Sequence, residues 1–498
     1  MSLEYSKAKN ETPTCKWNNI YLHSSYNPDQ EAKRFTETLS PNFIPSNIII
    51  IEPALSYCIP YLREKFSGSK IYAIRLIKDI KNEFKCDGEF LISDIEKIDN
   101  LESELFNYFG ETELLNSFFI TWPPAHNAFA EEDSRIWLML KKLLKDCQSI
   151  LATRQFFAER WIKNQINFLT RIEKTASINK TPLPVLICAS GASLNASLSY
   201  IKKLQQRFFI ISCSSSIKAL FSNDIIPDLC ISTDGGFWAK KHLNCLTKYQ
   251  NEIKLAVSSE SNIPSDLFSQ NNITIVPLAY CDNYDSTIYE QLKIPYEKAK
   301  RNGTISGTAL ELAMNISSGN IYLCGIDLET SNGFVHTQPN ELETENSIKD
   351  NKIFSKDKRT FIQGRDSKQL SLYRNWFINN SDRFGSRVFR VSCKHRFINK
   401  LGQIKDINFD DLIKMESDKV KNTADFFKKT VVLKSDKKTI LSLIKNLIND
   451  DQWIKNYYPA DCLMIDRSQD TNVKAEYKKK LDIKLSKLTE YISRQEKQ

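Results

Sequence analysis

Four short stretches place small polar residues and glycine where an anionic ligand is gripped. The first is "VLICASGASLN", Val185 to Asn195, an apolar run that ends in Ser190-Gly191-Ala192-Ser193 and leads into "ASLSYIKKLQQ". That is the pattern of a strand, a turn and a helix. The free N–H groups and positive dipole end of such a helix suit a phosphate. Gly191 lets the backbone approach closely, and Ser190 and Ser193 offer hydroxyls or cap the helix. Taken alone, such a Ser-Gly turn more commonly does no more than cap a helix. A P-loop is excluded, because its lysine and repeated glycines are missing. The second stretch, "FFIISCSSSIKAL", ends a strand in Ser214, Ser215 and Ser216. The third, "IPDLCISTDGGFW", ends one in Asp234-Gly235-Gly236, which read in isolation is a turn former. The fourth, "RNGTISGTALELAMNISSGNIYLCGIDLETSNGFVHTQ", opens a helix with Thr304, Ser306, Gly307 and Thr308. It continues into a strand that ends at Gly325-Ile326-Asp327. Nine residues beyond Asp327 stands His336, one of only five histidines. A loop histidine just past a strand end is where a general base or acid would stand, and equally an ordinary loop residue.

Strand ends converge only if a sheet brings them together. Apolar runs at 185–189, 208–212, 228–232, 254–258, 273–277 and 320–324 are mostly separated by helical runs. That alternation predicts a doubly wound parallel sheet, whose strand C-termini border one crevice. The fold class is therefore multi-domain α/β, with a central Rossmann-like unit over 165–400. A smaller α/β domain is expected over 1–150, where "NIIIIEPALSYCIPYLREKF" and "KIYAIRLI" give strand, helix and strand. Its first turn, Glu52-Pro53-Ala54-Leu55-Ser56, carries no glycine, so no dinucleotide loop is expected there. Residues 405–498 are lysine-rich and helical, with Leu481, Leu485, Leu488 and Ile492 on one stripe. That stripe predicts packing on the body of the protein or on a second subunit, and leaves a homo-oligomer open.

With 498 residues, 41% hydrophobic and 26% charged, the chain is globular and too long for one ordinary domain. The net charge of +9 comes without a long basic block, so no nucleic-acid partner is expected. No apolar run reaches a membrane-spanning length, and the first residues lack the apolar core of a secretory signal. Twelve cysteines lack CxxC pairs or ligand spacing. They read as free thiols of a cytoplasmic protein, with no zinc site.

In their order and spacing, "ICASGASLN", "IPDLCISTD", "GTISGTALELAM" and "IYLCGIDLETSNGFVH" resemble the central domain of the motility accessory factor (Maf) family. "IYLHSSYNPDQEAKRF" resembles that family's opening motif. The family's members are bacterial glycosyltransferases that attach nonulosonic acids, such as pseudaminic or legionaminic acid, to flagellin for flagellar assembly and motility. The central pieces also resemble small bacterial sialyltransferases, which hold a CMP-sugar and need no metal. The resemblance implies an inverting transfer to Ser or Thr hydroxyls, with the CMP-sugar as donor and no other cofactor. It assigns nucleotide binding to Ser190, Gly191, Ala192, Ser193, Ser214 and Asp234. It assigns sugar binding to Ser306, Gly307, Thr308 and Asp327, and catalysis to His336 with Asp234. The family's loop is usually Gly-x-Gly-Pro-Ser-Leu, whereas this chain has Ala189-Ser190-Gly191-Ala192-Ser193-Leu194. The sialyltransferases carry tyrosines after Gly-Ile-Asp, where Glu329 and Phe334 stand here. Archaeal 6-hydroxymethylpterin diphosphokinases share the central domain type. That alternative implies ATP and Mg²⁺, and a non-catalytic scaffold for flagellin or nucleotide sugars is a third reading.

Overall fold

The computed structural model describes residues 2–92, 98–329, 336–360, 368–393, 397–416, 421, 426–433 and 436–497. The chain forms two units, Met1–Ala158 with Asp450–Glu490, and Glu159–Asn449 with Tyr491–Gln498. Residues 450–490 of the C-terminal helical segment thus belong to the first unit, and 405–449 to the second. Phe334, which the sialyltransferase pattern singles out, lies outside the described residues.

The first unit opens with an antiparallel meander, β1 (Leu3–Lys7), β2 (Pro13–Trp17) and β3 (Ile20–Tyr21). A four-stranded parallel sheet follows, of β4 (Asn47–Ile51), β5 (Lys70–Arg75), β6 (Gly88–Leu91) and β7 (Ser117–Thr121), in the order β6-β5-β4-β7. β4 is buried along its whole length. Its alternate residues feed two different cores, Ile48 and Ile50 one, Ile49 and Ile51 the other. A strand covered on both faces reads as an unbroken apolar run, which is why "NIIII" has no polar position after its first residue.

At the end of β4, Glu52, Ala54 and Ser56 all have positive φ, in a turn without glycine. Hydrogen bonding holds this backbone. The buried Glu52 carboxylate accepts from the N–H groups of Ala54, Leu76 and Ile77 at 3.1, 2.7 and 2.9 Å. It also accepts from the Arg75 guanidinium at 3.2 Å. Arg75 donates further to the Ala54 carbonyl and the Ser56 hydroxyl. The turn is thus wired to β5 by a buried ion pair, and is shaped for that purpose.

The second unit carries an eleven-stranded sheet, ordered β17-β16-β15-β9-β10-β11-β12-β13-β8-β18, with β14 also paired to β13. Its strands are β8 (Lys174–Thr175), β9 (Val185–Cys188), β10 (Phe209–Cys213), β11 (Leu229–Ser232), β12 (Ile253–Ser258), β13 (Ile273–Tyr280), β14 (Glu297–Ala299), β15 (Ile321–Cys324), β16 (Val388–Ser392), β17 (Lys405–Asn408) and β18 (Val431–Val432). All pairings are parallel except β18 on β8. The six runs read as strands from the sequence are β9–β13 and β15, each within two or three residues of its expected bounds. The two sheet faces again have separate cores. Val185, Ile187, Phe209 and Ile211 join one, and Leu186, Cys188, Ile210 and Cys324 the other. The twelve cysteines are free thiols. Burial raises Cys213 and Cys324 to about 12, so they behave as small apolar side chains.

From β9 the chain winds one way through β10, β11, β12 and β13, and then returns to the other side of β9 with β15, β16 and β17. The winding reverses between β9 and β15. Ligands of such sheets bind outside the strand C-termini at this reversal.

Breaking the buried pair of the first unit should be costly, because Glu52 would keep a charge without its partner. Arg75→Met is expected to lose about 3–5 kcal/mol in urea unfolding of the full chain. A loss below about 1 kcal/mol would show that the backbone amides alone satisfy Glu52.

Candidate functional site

The two loops at the reversal are interlocked. Ala189 N–H donates to the Cys324 carbonyl at 2.9 Å and Gly191 N–H to the Gly325 carbonyl at 2.8 Å. A Cβ at Gly325 would lie 2.2 Å from the Ala189 carbonyl oxygen, and its φ is +70°. A Cβ at Gly191 would lie 2.5 Å from the Gly325 carbonyl oxygen and 2.7 Å from Asp327 Cγ. Both glycines are therefore required by the partner loop, before any ligand is considered.

Asp327 fills the space this approach leaves. Its carboxylate accepts from Ser193 N–H at 2.9 Å and from the Ser193 hydroxyl. It sits at the N-terminus of the helix Leu194–Leu204, where the dipole favours a negative charge. Ser193 and Asp327, read from the sequence as nucleotide and sugar contacts, thus hold one another. Ser190, at the other side of the turn, accepts from the Ser215 hydroxyl at 2.9 Å.

His336 lies against this loop. It forms an isolated bridge with Gly191, and its neighbour Thr337 donates its N–H to the Ser190 carbonyl at 2.8 Å. Its Nδ1 is 3.3 Å from Ser190 Oγ. The following segment is tied down in two places. The Asn195 side chain accepts from the Thr337 hydroxyl and the Gln338 N–H, and Asn340 donates to the Ser215 carbonyl. Burial lowers the His336 pKa below the usual histidine value, against opposing contributions from the Ser190 backbone and Glu343. The ring is neutral at neutral pH and able to accept a proton.

His242, on the helix Phe237–Leu243, is a partner the sequence reading missed. Burial, then the proximity of His336, pushes it down to about 4, while Glu341 and Asp234 pull the other way. Nothing in "FWAKKHL" marks this histidine; only the fold brings it within electrostatic reach of His336. Ser215 was also missed as a site residue, although it stands beside Ser214.

Ser214 closes β10. Its N–H donates to the Ile231 carbonyl, and its buried hydroxyl has no hydrogen-bond partner among the described residues. The buried hydroxyl of Ser232, at the end of adjacent β11, likewise has none among the described residues. Asp234 is exposed, and its carboxylate accepts from the Gly236 N–H at 2.9 Å. It is both the turn former expected of Asp-Gly-Gly and a charged group within electrostatic reach of His242.

Thr304 caps the helix Ile305–Ile316 by accepting from Gly307 N–H at 2.8 Å. The Thr308 hydroxyl donates back to the Lys300 carbonyl at 3.1 Å. Ser306 donates to Thr304 at 3.3 Å and stays half-buried. The approach to this helix is anchored by Arg301, which grips Glu260 at 2.7 and 3.0 Å and Asp282 at 3.0 Å. Its guanidinium lies 4.4 Å from the Tyr280 ring and 4.6 Å from that of Trp161. No group of three or more His, Cys, Asp or Glu side chains is placed to hold a metal ion among the described residues. No described helix is long and apolar enough to cross a membrane.

The arrangement is a doubly wound α/β unit with a neutral histidine at its topological reversal. Residues 159–333 match the family model described as 6-hydroxymethylpterin diphosphokinase MptE-like. Over 99% of its length the chain is similar in fold to the MAf glycosyltransferase from Magnetospirillum magneticum AMB-1, with a TM-score of 0.58, 12% identity and 91% of that chain covered. The resemblance drawn from the motifs therefore extends to the fold of the whole chain. An uncharacterized protein of Treponema pallidum (strain Nichols) is 28% identical over 297 residues, 59% of this chain. The match spans 64% of that relative, just under two thirds of its length.

A histidine held neutral by burial has a defined stability signature. The folded His242 ring titrates near 4 and an unfolded one near 6.5. Its contribution is therefore complete above about pH 6.5 and is lost as the pH falls toward 4. His242→Gln should make stability less pH-dependent over this window, by about 1–2 kcal/mol between pH 7 and 5. Urea titrations of both proteins at the two pH values check this.

Proposed function

We propose that the protein is a glycosyltransferase that moves a nonulosonic acid, of the pseudaminic or legionaminic class, from its CMP-activated form to a Ser or Thr hydroxyl of flagellin. The observation that carries this reading is His336. It is neutral, pinned to the Ser190 turn, and stands at the sheet's reversal point in a fold similar to that of a MAf glycosyltransferase. In this reading the acceptor oxygen attacks the anomeric carbon and displaces CMP with inversion. The bond to phosphate breaks with its electron pair on CMP, and His336 takes the acceptor proton. No metal takes part. The turn Ser190-Gly191-Ala192-Ser193 faces the phosphate through its Ser190 side, because Asp327 already occupies Ser193. The unpartnered Ser214 hydroxyl and Asp234 contact the nucleoside, with Asp234 near enough to bias the histidine pair. Ser306, Gly307 and Thr308 border the sugar carboxylate, and Asp327 holds the turn that borders the sugar.

The match of residues 159–333 favours one other reading, a diphosphokinase acting on a hydroxymethylpterin with ATP and Mg²⁺. Calorimetric titration with CMP and ATP, each with and without Mg²⁺, separates the two. The transferase predicts metal-independent CMP binding, and the kinase predicts ATP binding that needs the metal. Silence from both nucleotides would point to a scaffold without turnover. His336→Ala is expected to keep CMP binding and the unfolding midpoint while transfer to flagellin falls about 10²–10⁴-fold. Full activity in that variant would remove His336 as the base.

A further inference from the structure

The first unit has a winding reversal of its own. From β4 the chain moves outward through β5 and β6, then returns to the other side of β4 as β7. The reversal lies between β4 and β7, whose ends meet at the paired residues Ile51 and Thr121. By the same rule that places the central site, a ligand of this sheet belongs beside Thr121.

A cavity of about 550 Å³ opens at the end of β7, lined by that strand's end, the residues after it and one helix. Thr121, Pro123, His126, Asp133, Trp137 and Lys141 line it, together with Asn127. Asp133, Trp137 and Lys141 recur at four-residue steps, so they form one stripe of the helix Ala130–Arg171. The buried Asp133 carboxylate is fully engaged. One oxygen accepts from the Thr121 hydroxyl at 2.7 Å, and the other lies 2.7 Å from His126 Nδ1. Trp137 Nε1 donates to Thr121 Oγ1 at 2.9 Å, which fixes the indole.

A structural tie between the strand end and the helix needs only Thr121, Asp133 and Trp137. His126 stands outside that tie, on Asp133 alone, with its side chain 58% exposed. A buried carboxylate orients it nonetheless. With Nδ1 held by Asp133, Nε2 is the ring nitrogen left free at the cavity lining. Lys141 is exposed and makes no ion pair among the described residues. Among the free polar groups Lys141 donates, the Asn127 amide donates and accepts, and His126 Nε2 donates when the ring carries a second proton. The one acid of the lining, Asp133, is hydrogen-bonded to Thr121 and His126. Beside them, Trp137 and Pro123 supply a rigid apolar surface of the kind on which sugar rings stack.

We infer that this cavity is a second ligand site, specific for a monosaccharide that carries a phosphate or a carboxylate. His126 and Lys141 meet the anion, and Trp137 meets the ring. The inference does not depend on the chemistry of the central unit.

Saturation-transfer NMR and calorimetry on the full chain test it, with glucose 6-phosphate, glucuronate, glucose and inorganic phosphate as probes. Glucose 6-phosphate, glucuronate or both should bind at least tenfold more tightly than glucose. That binding should weaken at least tenfold in His126→Ala and in Lys141→Ala, with unfolding midpoints unchanged, and persist in His336→Ala. Which anionic sugar binds identifies the charged group. The inference is overturned if neither binds, if glucose binds equally well, or if inorganic phosphate alone matches the phosphosugar. It is also overturned if binding survives both first-unit variants, or is lost in His336→Ala, which would put the ligand in the central unit.

Discussion

The second unit depends on a carboxylate at a helix N-terminus. Asp327 is delivered by β15 and received by Ser193 of the turn after β9. These strands are neighbours in space, although Ser193 and Asp327 stand 134 residues apart in sequence. The contact therefore closes the sheet at the one place where its winding reverses. Ser190 is held where His336 can reach it, and His336 in turn is tied to the same turn through backbone hydrogen bonding. Charge placed at the dipole end of a helix stabilises it only modestly. Here the same charge also satisfies a buried hydroxyl and fixes the spacing of two loops, so geometry rather than energy is its main contribution.

Much of this was legible in the residues. The apolar runs of the second unit gave the strands, because a parallel strand buried on both faces leaves an unbroken hydrophobic signature. Small polar residues at four strand ends marked the sheet edge that carries the candidate site. What the pattern did not show was which of these residues also hold a neighbouring loop. Gly191 reads as room for a phosphate, yet the atoms that crowd it belong to Gly325 and Asp327. Thr308 reads as a hydroxyl for a sugar, yet it donates to Lys300. His242 carried no local signal, because its relation to His336 spans more than ninety residues and exists only after folding.

The two units solve the same topological problem with different chemistry. The central sheet meets its reversal with glycines, serines and a carboxylate that crosses between loops. The first sheet meets its own with a glycine-free turn, three left-handed residues and a buried arginine. The glycine-free turn "EPALS" is held by the Glu52–Arg75 ion pair, and the polar cluster around Thr121 lies on the neighbouring strand.

The buried thiols carry a consequence for how the chain is handled. Cys188, Cys213, Cys230 and Cys324 lie on adjacent strands, and burial raises all four above the usual thiol range. A thiol that cannot ionise is a poor nucleophile, so the native fold protects these groups from oxidation. Unfolding returns each to an ordinary acidity of about 8.5 and exposes it to eleven others. Disulfide scrambling then competes with refolding. A reductant removes that competing reaction, and without one thiol oxidation draws unfolded chains away from the folding equilibrium.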